Sequence, residues 1–347
     1  MDNLQDYYYY EDYNYSDIYN YTPQDKQVFQ HASTCVKEVL CVFLIVVTVV
    51  IFLLGFFGNA LVIWISGFKM TKTVNTTWYL SLAISDFVFC AFLPFSIAHM
   101  AMEDWVFGRF MCKFTSSVMS LNMFSSIFLL VVISVDRCVS VVFPVWAQNH
   151  RTANKATGVV CISWLLAVAL SLPSVIFRDV NSHLGRTICY NNYTSHQHSH
   201  KIVAVSRFFA GFVVPFIVII ICYSIIILKL RNNRMTKSNK PLKVMSALVA
   251  AFFVCWLPYH VFVLLEVNHE QFEKSILTSG LKVGTSMAAA NSFLNPVLYV
   301  FMGNDFKRKF KSSVLSKMEN AMGEEGRTTS RYLSRSSSMD ARASTHI

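Results

Sequence analysis

Charge is scarce in this chain. Only 14% of its 347 residues are Asp, Glu, Lys or Arg, while 54% are hydrophobic; a soluble domain carries about 25% charged residues. That balance excludes an ordinary soluble globular protein. No soluble segment is large enough to present a basic surface, so the formal net charge of +10 does not read as nucleic-acid binding. The acidic, tyrosine-rich start has no apolar core of the kind a cleavable signal peptide needs, so the first long apolar run is expected to serve as its own insertion signal. There is no internal repeat. Nor is there a hydrolytic or group-transfer constellation: His196, His198 and His200 form a short loop cluster read as solvated. These absences leave no enzyme and no resident cofactor to expect.

Seven apolar runs fill the chain instead, near 39–65, 75–102, 110–142, 153–177, 202–230, 242–267 and 276–302. Each is long enough to cross about 30 Å of hydrocarbon as a helix. The fold class expected is an all-α membrane protein, a seven-helix bundle over 39–303. Pro94, Pro173, Pro215, Pro258 and Pro296 lie inside runs, where neighbouring helices or water must satisfy the freed carbonyls. Lys69, Lys72 and Arg151, the basic stretch Lys229 to Lys243, and Lys307 to Lys311 all fall on one side. By the positive-inside bias that side is cytoplasmic, which places the N-terminus outside and the C-terminus inside a multi-pass plasma-membrane protein.

The termini read differently from the bundle. Residues 1–38 begin with eight tyrosines set among acids and hold too little aliphatic surface to fold alone. They are either a solvated tail or an acidic arm that attracts a basic ligand over long range, with tyrosines suited to sulfation. Asn14, Asn20 and Asn192 begin glycan sequons on the outer side; Asn75 fits the same pattern but faces the cytosol. Residues 304–316 place Phe306, Phe310 and Val314 on one face between lysines, the pattern of an amphipathic helix on inner-leaflet lipids. The Ser/Thr-rich remainder, 317–347, is either an unmodified disordered tail or a phosphorylated docking strip.

Of nine cysteines, Cys41, Cys90, Cys138, Cys161, Cys222 and Cys255 lie in or at the ends of runs and read as small apolar packers. Cys112 and Cys189 both face the oxidising side, so they are the expected bridge. Cys35 is left without a partner.

Asp86 interrupts the run LSLAISDFVFCAFLPF. A carboxylate at mid-membrane is tolerated only where it faces a polar interior. Asn122 and Ser126, four residues apart, share one face of the third run. Asn291, Asn295 and Tyr299 do the same in the seventh, with Ser292 adjacent. Such seams also serve as packing glue between membrane helices; facing an acid, they form a core able to hold a small cation or a proton. Asp136 and Arg137 stand at the inner end of the third run, either as a local ion pair or, with Tyr223 and Tyr299 in reach on opening, as a two-state element.

Taken together, Gly58-Asn59, LAISD ending at Asp86, Asp136-Arg137-Cys138, Trp164, Pro215 with Tyr223, CWLP at 255–258 and NPVLY at 295–299 sit one set per helix. In that order they resemble the rhodopsin-like (class A) G-protein-coupled receptors over about residues 39–316. KMTKTVNTTWYLSLAISDF, WVFGRFMCK, ISVDRCVSVVFPVWAQNHRT, VCWLPYH and LNPVLYVFMGNDFKRKF are similar to the chemoattractant-peptide branch. A visual pigment is excluded, because the middle of the seventh run is SMAAANS and Lys282 lies nearer its outer end.

The resemblance implies roles. Asp86, Asn122, Ser126, Asn291 and Asn295 match an allosteric sodium pocket. Asp136 and Arg137 match the ionic latch whose arginine meets the G protein, with Tyr223 and Tyr299 as its active-state partners. Ile127, Pro215 and Phe252 match the connector beneath the ligand, and Trp256 the aromatic switch above it. Arg207 and Arg178 are placed for a peptide's terminal carboxylate; alternatively they are interfacial snorkelling side chains. Glu266 suits a positive group, while Met119, Tyr259 and Phe262 offer apolar contacts. Implied partners are an extracellular peptide or protein, an inhibitory-class heterotrimeric G protein, receptor kinases and arrestin. Cys138 stands where the family commonly has tyrosine, and no cysteine after Cys255 is present to carry a palmitoyl anchor. A transporter lacks support without repeated halves. A non-signalling scavenger of the same fold, or a receptor for a different chemoattractant peptide, remains the alternative.

Overall fold

The computed structural model describes residues 39–183, 186–193, 197–232, 240–268 and 271–302. The expectations for Asn14, Asn20, the N-terminal tail, the 304–316 helix and the 317–347 tail lie outside these residues. Helix α1, Val39–Trp64, closes in a π turn, Ile65–Lys69. It is followed by α2, Val74–Met102, and α3, Gly108–Val142. A short α4, Pro144–His150, leads into α5, Ala153–Phe177. Strands β1, Arg178–His183, and β2, Arg186–Asn191, pair antiparallel. Then α6, Gln197–Phe208, a π turn, Phe209–Val213, and α7, Val214–Asn232, run on as one rod. Helices α8, Lys240–Glu266, and α9, Lys274–Met302, complete the bundle.

Six of these rods, all but α9, are apolar enough along their length to cross a membrane. Helix α9 is the seventh. At 29 residues it is long enough to span, but it carries the Asn and Ser seam and is correspondingly less apolar. It packs mainly on α8 and α1. The apolar exterior is made by side chains such as Ile162, Leu165, Ile217, Leu228 and Val254, all widely exposed. In water such a surface is a liability; in a bilayer it is the lipid contact.

Local chemistry sets the rod ends. Thr73 and Thr76 form a reciprocal capping box at the start of α2, satisfying amides that the helix leaves unpaired. The far end stops at Glu103, whose φ of 51° breaks the helical repeat. Pro215 follows the π turn by one residue. A proline ring clashes with the carbonyl four residues back, here Gly211 inside the turn, and the wider π repeat makes room for it.

Inside the bundle, Met123, Phe124, Ile127, Ile219, Leu248, Phe252 and Trp256 form one buried cluster. Helices α8 and α9 approach closely at Gly284, where a Cβ would lie 2.9 Å from the Tyr259 backbone. Only glycine allows that contact beside Pro258 in α8.

The hairpin β1–β2 lies across the mouth of the bundle. Cys112, fully buried at the head of α3, is bridged to Cys189 in β2 with Cα atoms 5.7 Å apart. The pairing expected from the sequence is therefore present. Trp105 N–H donates to the Thr187 carbonyl at 2.7 Å, and Thr187 N–H to Asp104 Oδ1 at 2.7 Å. One cysteine reading is corrected: Cys41 is disulfide-bonded, not a free packer. It lies in the first turn of α1, and a half-cystine is the mark of an oxidising compartment. Cys90, Cys138, Cys161, Cys222 and Cys255 are free.

Candidate functional site

Three polar levels follow one another along the bundle axis. The outermost is a cavity of about 390 Å³, whose wall includes the β2 residues Cys189 and Asn191. Met119, Arg178, Tyr259, Glu266, Lys282 and His99 line it. Arg178, the first residue of β1, reaches into it while its Nε donates to Ser116 Oγ at 2.8 Å. Arg207 sits one layer behind, in the last turn of α6. Its Nη1 donates to the Tyr259 hydroxyl at 3.0 Å and its Nη2 to Ser174 Oγ at 3.3 Å, and Ser174 shares a 2.6 Å bond with Ser120. The cavity wall at that point is therefore Tyr259, with the guanidinium held on its hydroxyl.

Phe262 stands apart from the cavity. Its ring lies over Gly280 of α9, so close that a Cβ there would overlap it. Tyr193, in the loop after β2, packs tilted on Phe177 at 4.9 Å and stacks on His200 at 4.7 Å. Burial pushes its phenol above the usual tyrosine range, while the positive charges of Arg207 and Arg178 pull the other way. Asn192 follows β2, its N–H donating to the Phe177 carbonyl at 2.6 Å.

Beneath the cavity, Trp256 packs edge-on to Tyr259 at 5.6 Å and tilted on Phe252 at 5.9 Å. Phe252 and Ile127 are wholly buried, and Pro215 is buried on the neighbouring rod. The tryptophan thus packs between the cavity wall and the apolar core.

The middle level is built around Asp86, which has no exposed surface. Asn122 Nδ2 donates to its Oδ1 at 2.9 Å, and Asn295 Nδ2 to its Oδ2 at 2.6 Å. Helices α2, α3 and α9 therefore meet on one carboxylate. Ser292 Oγ donates to Asn122 Oδ1 at 3.5 Å. Asn59 Nδ2 bridges the carbonyls of Gly55 and Ser292, each at 2.8 Å. Ser126, one turn below Asn122 on the same face, is buried and its Oγ has no partner among the described residues. Asn291 is buried one turn before Asn295. A carboxylate with spare lone pairs, an amide oxygen and an unpartnered hydroxyl suit a small hard cation, which takes oxygen ligands.

At the inner level, the Asp136 carboxylate pairs with Arg151, at 2.7 Å from Nε and 2.8 Å from Nη2. It does not pair with its neighbour Arg137, which corrects the local ion pair allowed by the sequence. Arg137 Nη2 donates to Asn75 Oδ1 at 2.8 Å, and Arg151 donates to the same oxygen. Tyr223, in α7, packs partly buried against the core cluster. The side chain of Tyr299 lies outside the described residues.

Several participants carried no readable signal. Asn75 looked like a discounted glycan sequon, and Arg151 like one more topology charge. Lys282 stood out only as a lysine near the outer end of the seventh run, and His99 carried no signal at all. What unites them is the geometry of the bundle, which a linear spacing does not report.

Comparison with known proteins adds to this geometry. The family model described as 7 transmembrane receptor (rhodopsin family) matches residues 58–299. The chain is 43% identical over 337 residues to the Mus musculus protein named chemerin-like receptor 1, covering 91% of each. It is 43% identical over 316 residues to the Homo sapiens protein of that name, covering 86% of this chain and 84% of the other. Formyl peptide receptor 2 of Mus musculus is 39% identical over 324 residues, covering 88% of this chain and 92% of that one.

Proposed function

We propose, because this chain belongs to the rhodopsin family of seven-transmembrane receptors, that it is a plasma-membrane receptor for a chemoattractant peptide or protein resembling chemerin. Such receptors are not enzymes. The ligand's C-terminal segment enters the cavity beneath the hairpin, with its N-terminal body left outside near the acidic arm. Arg178 meets the terminal carboxylate first, since it already lines the cavity. Arg207 joins when Tyr259 turns aside. Glu266 attracts a positive group on the ligand, and Met119 supplies apolar contact.

The signal requires a ligand that binds one bundle conformation better than the other; equal affinity shifts nothing. Displacement of Tyr259 moves Trp256, Phe252 and Ile127, and the rods bearing Pro215 and Pro258 reseat around them. Asp86, Asn122, Ser126, Asn291 and Asn295 would hold a sodium ion, which would supply positive charge opposite the carboxylate. Opening of the bundle lets Arg137 swing toward Tyr223 and Tyr299. An inhibitory-class heterotrimeric G protein then meets Arg137. Receptor kinases phosphorylate the tail and arrestin follows.

The observation that carries this reading is one cavity bearing Arg178, Lys282 and Glu266, whose wall residue Tyr259 packs on Trp256. A panel of chemoattractant peptides, including the C-terminal segment of chemerin, tested on cells displaying this chain should give cyclic AMP suppression by at least one. Saturable binding without suppression would instead make the chain a scavenger.

A further inference from the structure

The inner level contains an arrangement that neither the fold nor the ligand cavity explains. Asp136 is paired through both oxygens to Arg151, at 2.7 and 2.8 Å, in the two-pronged geometry that gives guanidinium–carboxylate pairs their strength. Both partners are well covered, with side-chain exposures of 14% for Asp136 and 27% for Arg151. Arg151 is held in place by α4, whose final turn its N–H caps by donating to the Ala147 carbonyl at 3.0 Å. Its second anchor is Asn75 at the start of α2.

Arg137 is left with weaker company. Its one bond among the described residues runs to Asn75 Oδ1, a neutral acceptor already shared with Arg151. Its Nε is buried without a partner. The nearest carboxylate along the chain, Asp136, is chemically spent.

We propose that Arg151 is a positioning residue for G-protein coupling: by occupying Asp136 it keeps that carboxylate from capturing Arg137, and so holds Arg137 ready for release. This inference rests on the proposed coupling through Arg137. An arginine freed from one shared, neutral hydrogen bond moves at lower cost than one freed from an ion pair, because no opposite charge is left behind. Without Arg151 the long Arg137 side chain folds back onto its neighbour, and the inner mouth loses its mobile cation.

The test uses the full chain with an outer epitope tag, in membranes with an added inhibitory-class G protein. Nucleotide exchange is read with and without a synthetic peptide matching the chemerin C-terminal segment, and normalised to displayed receptor. Arg151→Ala should lower basal and stimulated exchange by about three- to fivefold, the range of a partly exposed ion pair. Peptide affinity without G protein should stay unchanged. Asp136→Asn in the Arg151→Ala background removes the competing carboxylate and should return exchange to at least the wild-type level. Arg151→Lys, which keeps the charge but not the fork, should fall between wild type and Arg151→Ala. A merely structural role for Arg151 predicts the opposite epistasis, with the double variant at or below the single one. That result overturns the inference, as does an Arg151→Ala response equal to wild type. A wild-type chain that binds the peptide yet gives no exchange overturns the coupling reading first, and this inference with it.

Discussion

A ligand bearing a free terminal carboxylate should lose potency when that group is amidated, and the loss should be traceable to Arg178 and Arg207. The magnitude follows from the bonds each cation now makes. A hydrogen bond to a charged group contributes about 1.5–3 kcal/mol, and a neutral one that must first be broken costs about 1 kcal/mol. Arg178 surrenders one bond, to Ser116, leaving a net gain of roughly 0.5–2 kcal/mol. That is an acid-to-amide potency ratio of about 2 to 30. Arg207 must surrender two, to Tyr259 and Ser174, so its share is smaller. The assay is a cycle: acid and amide forms of the chemerin C-terminal peptide on wild type, Arg178→Gln, Arg207→Gln and the double variant, read as cyclic AMP suppression at matched display. Arg178→Gln should bring the ratio most of the way to one, Arg207→Gln part of the way, and the double variant fully. A ratio equal to wild type in all three variants would refute the carboxylate assignment.

Other perturbations follow from single contacts. Asp86→Asn should abolish the sodium dependence of agonist binding, measured by competition binding with sodium against N-methylglucamine salts; persisting dependence places the ion elsewhere. Gly284→Ala forces a Cβ within 2.9 Å of the Tyr259 backbone and should destabilise the bundle by about 1–3 kcal/mol, seen as a lower melting temperature in detergent; an unchanged melt means α8 and α9 separate freely. Neutralising the acids between Asp2 and Asp25 should slow peptide association more than it speeds dissociation. High salt should erase the difference, as screening requires. Equal slowing at high and low salt would remove the electrostatic arm.

How much of this was legible along the chain depends on which forces set each feature. Long apolar runs announce spans because burial in hydrocarbon acts on whole segments, so all seven rods fall close to their expected bounds. Asp86 was readable for the same reason: one carboxylate in such a run has few tolerable environments, and Asn122 and Asn295 sit on it as their helical spacing suggested. Cys112 and Cys189 were readable from topology alone. Rotamer-scale choices were not. Whether Asp136 takes Arg137 or Arg151 is decided by α4, a seven-residue helix that returns the chain to α3. Whether Arg207 opens into the cavity or braces Tyr259 depends on the phase set by the π turn just after it. Phe262, placed among ligand contacts by its position on α8, is instead turned onto α9 by the space Gly280 leaves. Cys41 looked like its buried neighbours because a thiol and a half-cystine share the same letter.

On the proposed function, occupancy of the outer cavity is transmitted through the Trp256 layer and the Asp86 network to Arg137. The most direct measurement is peptide-stimulated nucleotide exchange on an inhibitory-class G protein, in membranes carrying either wild type or Arg137→Ala. The wild-type chain should drive exchange, and Arg137→Ala should bind the peptide yet drive none. Undiminished exchange from Arg137→Ala would contradict the claim.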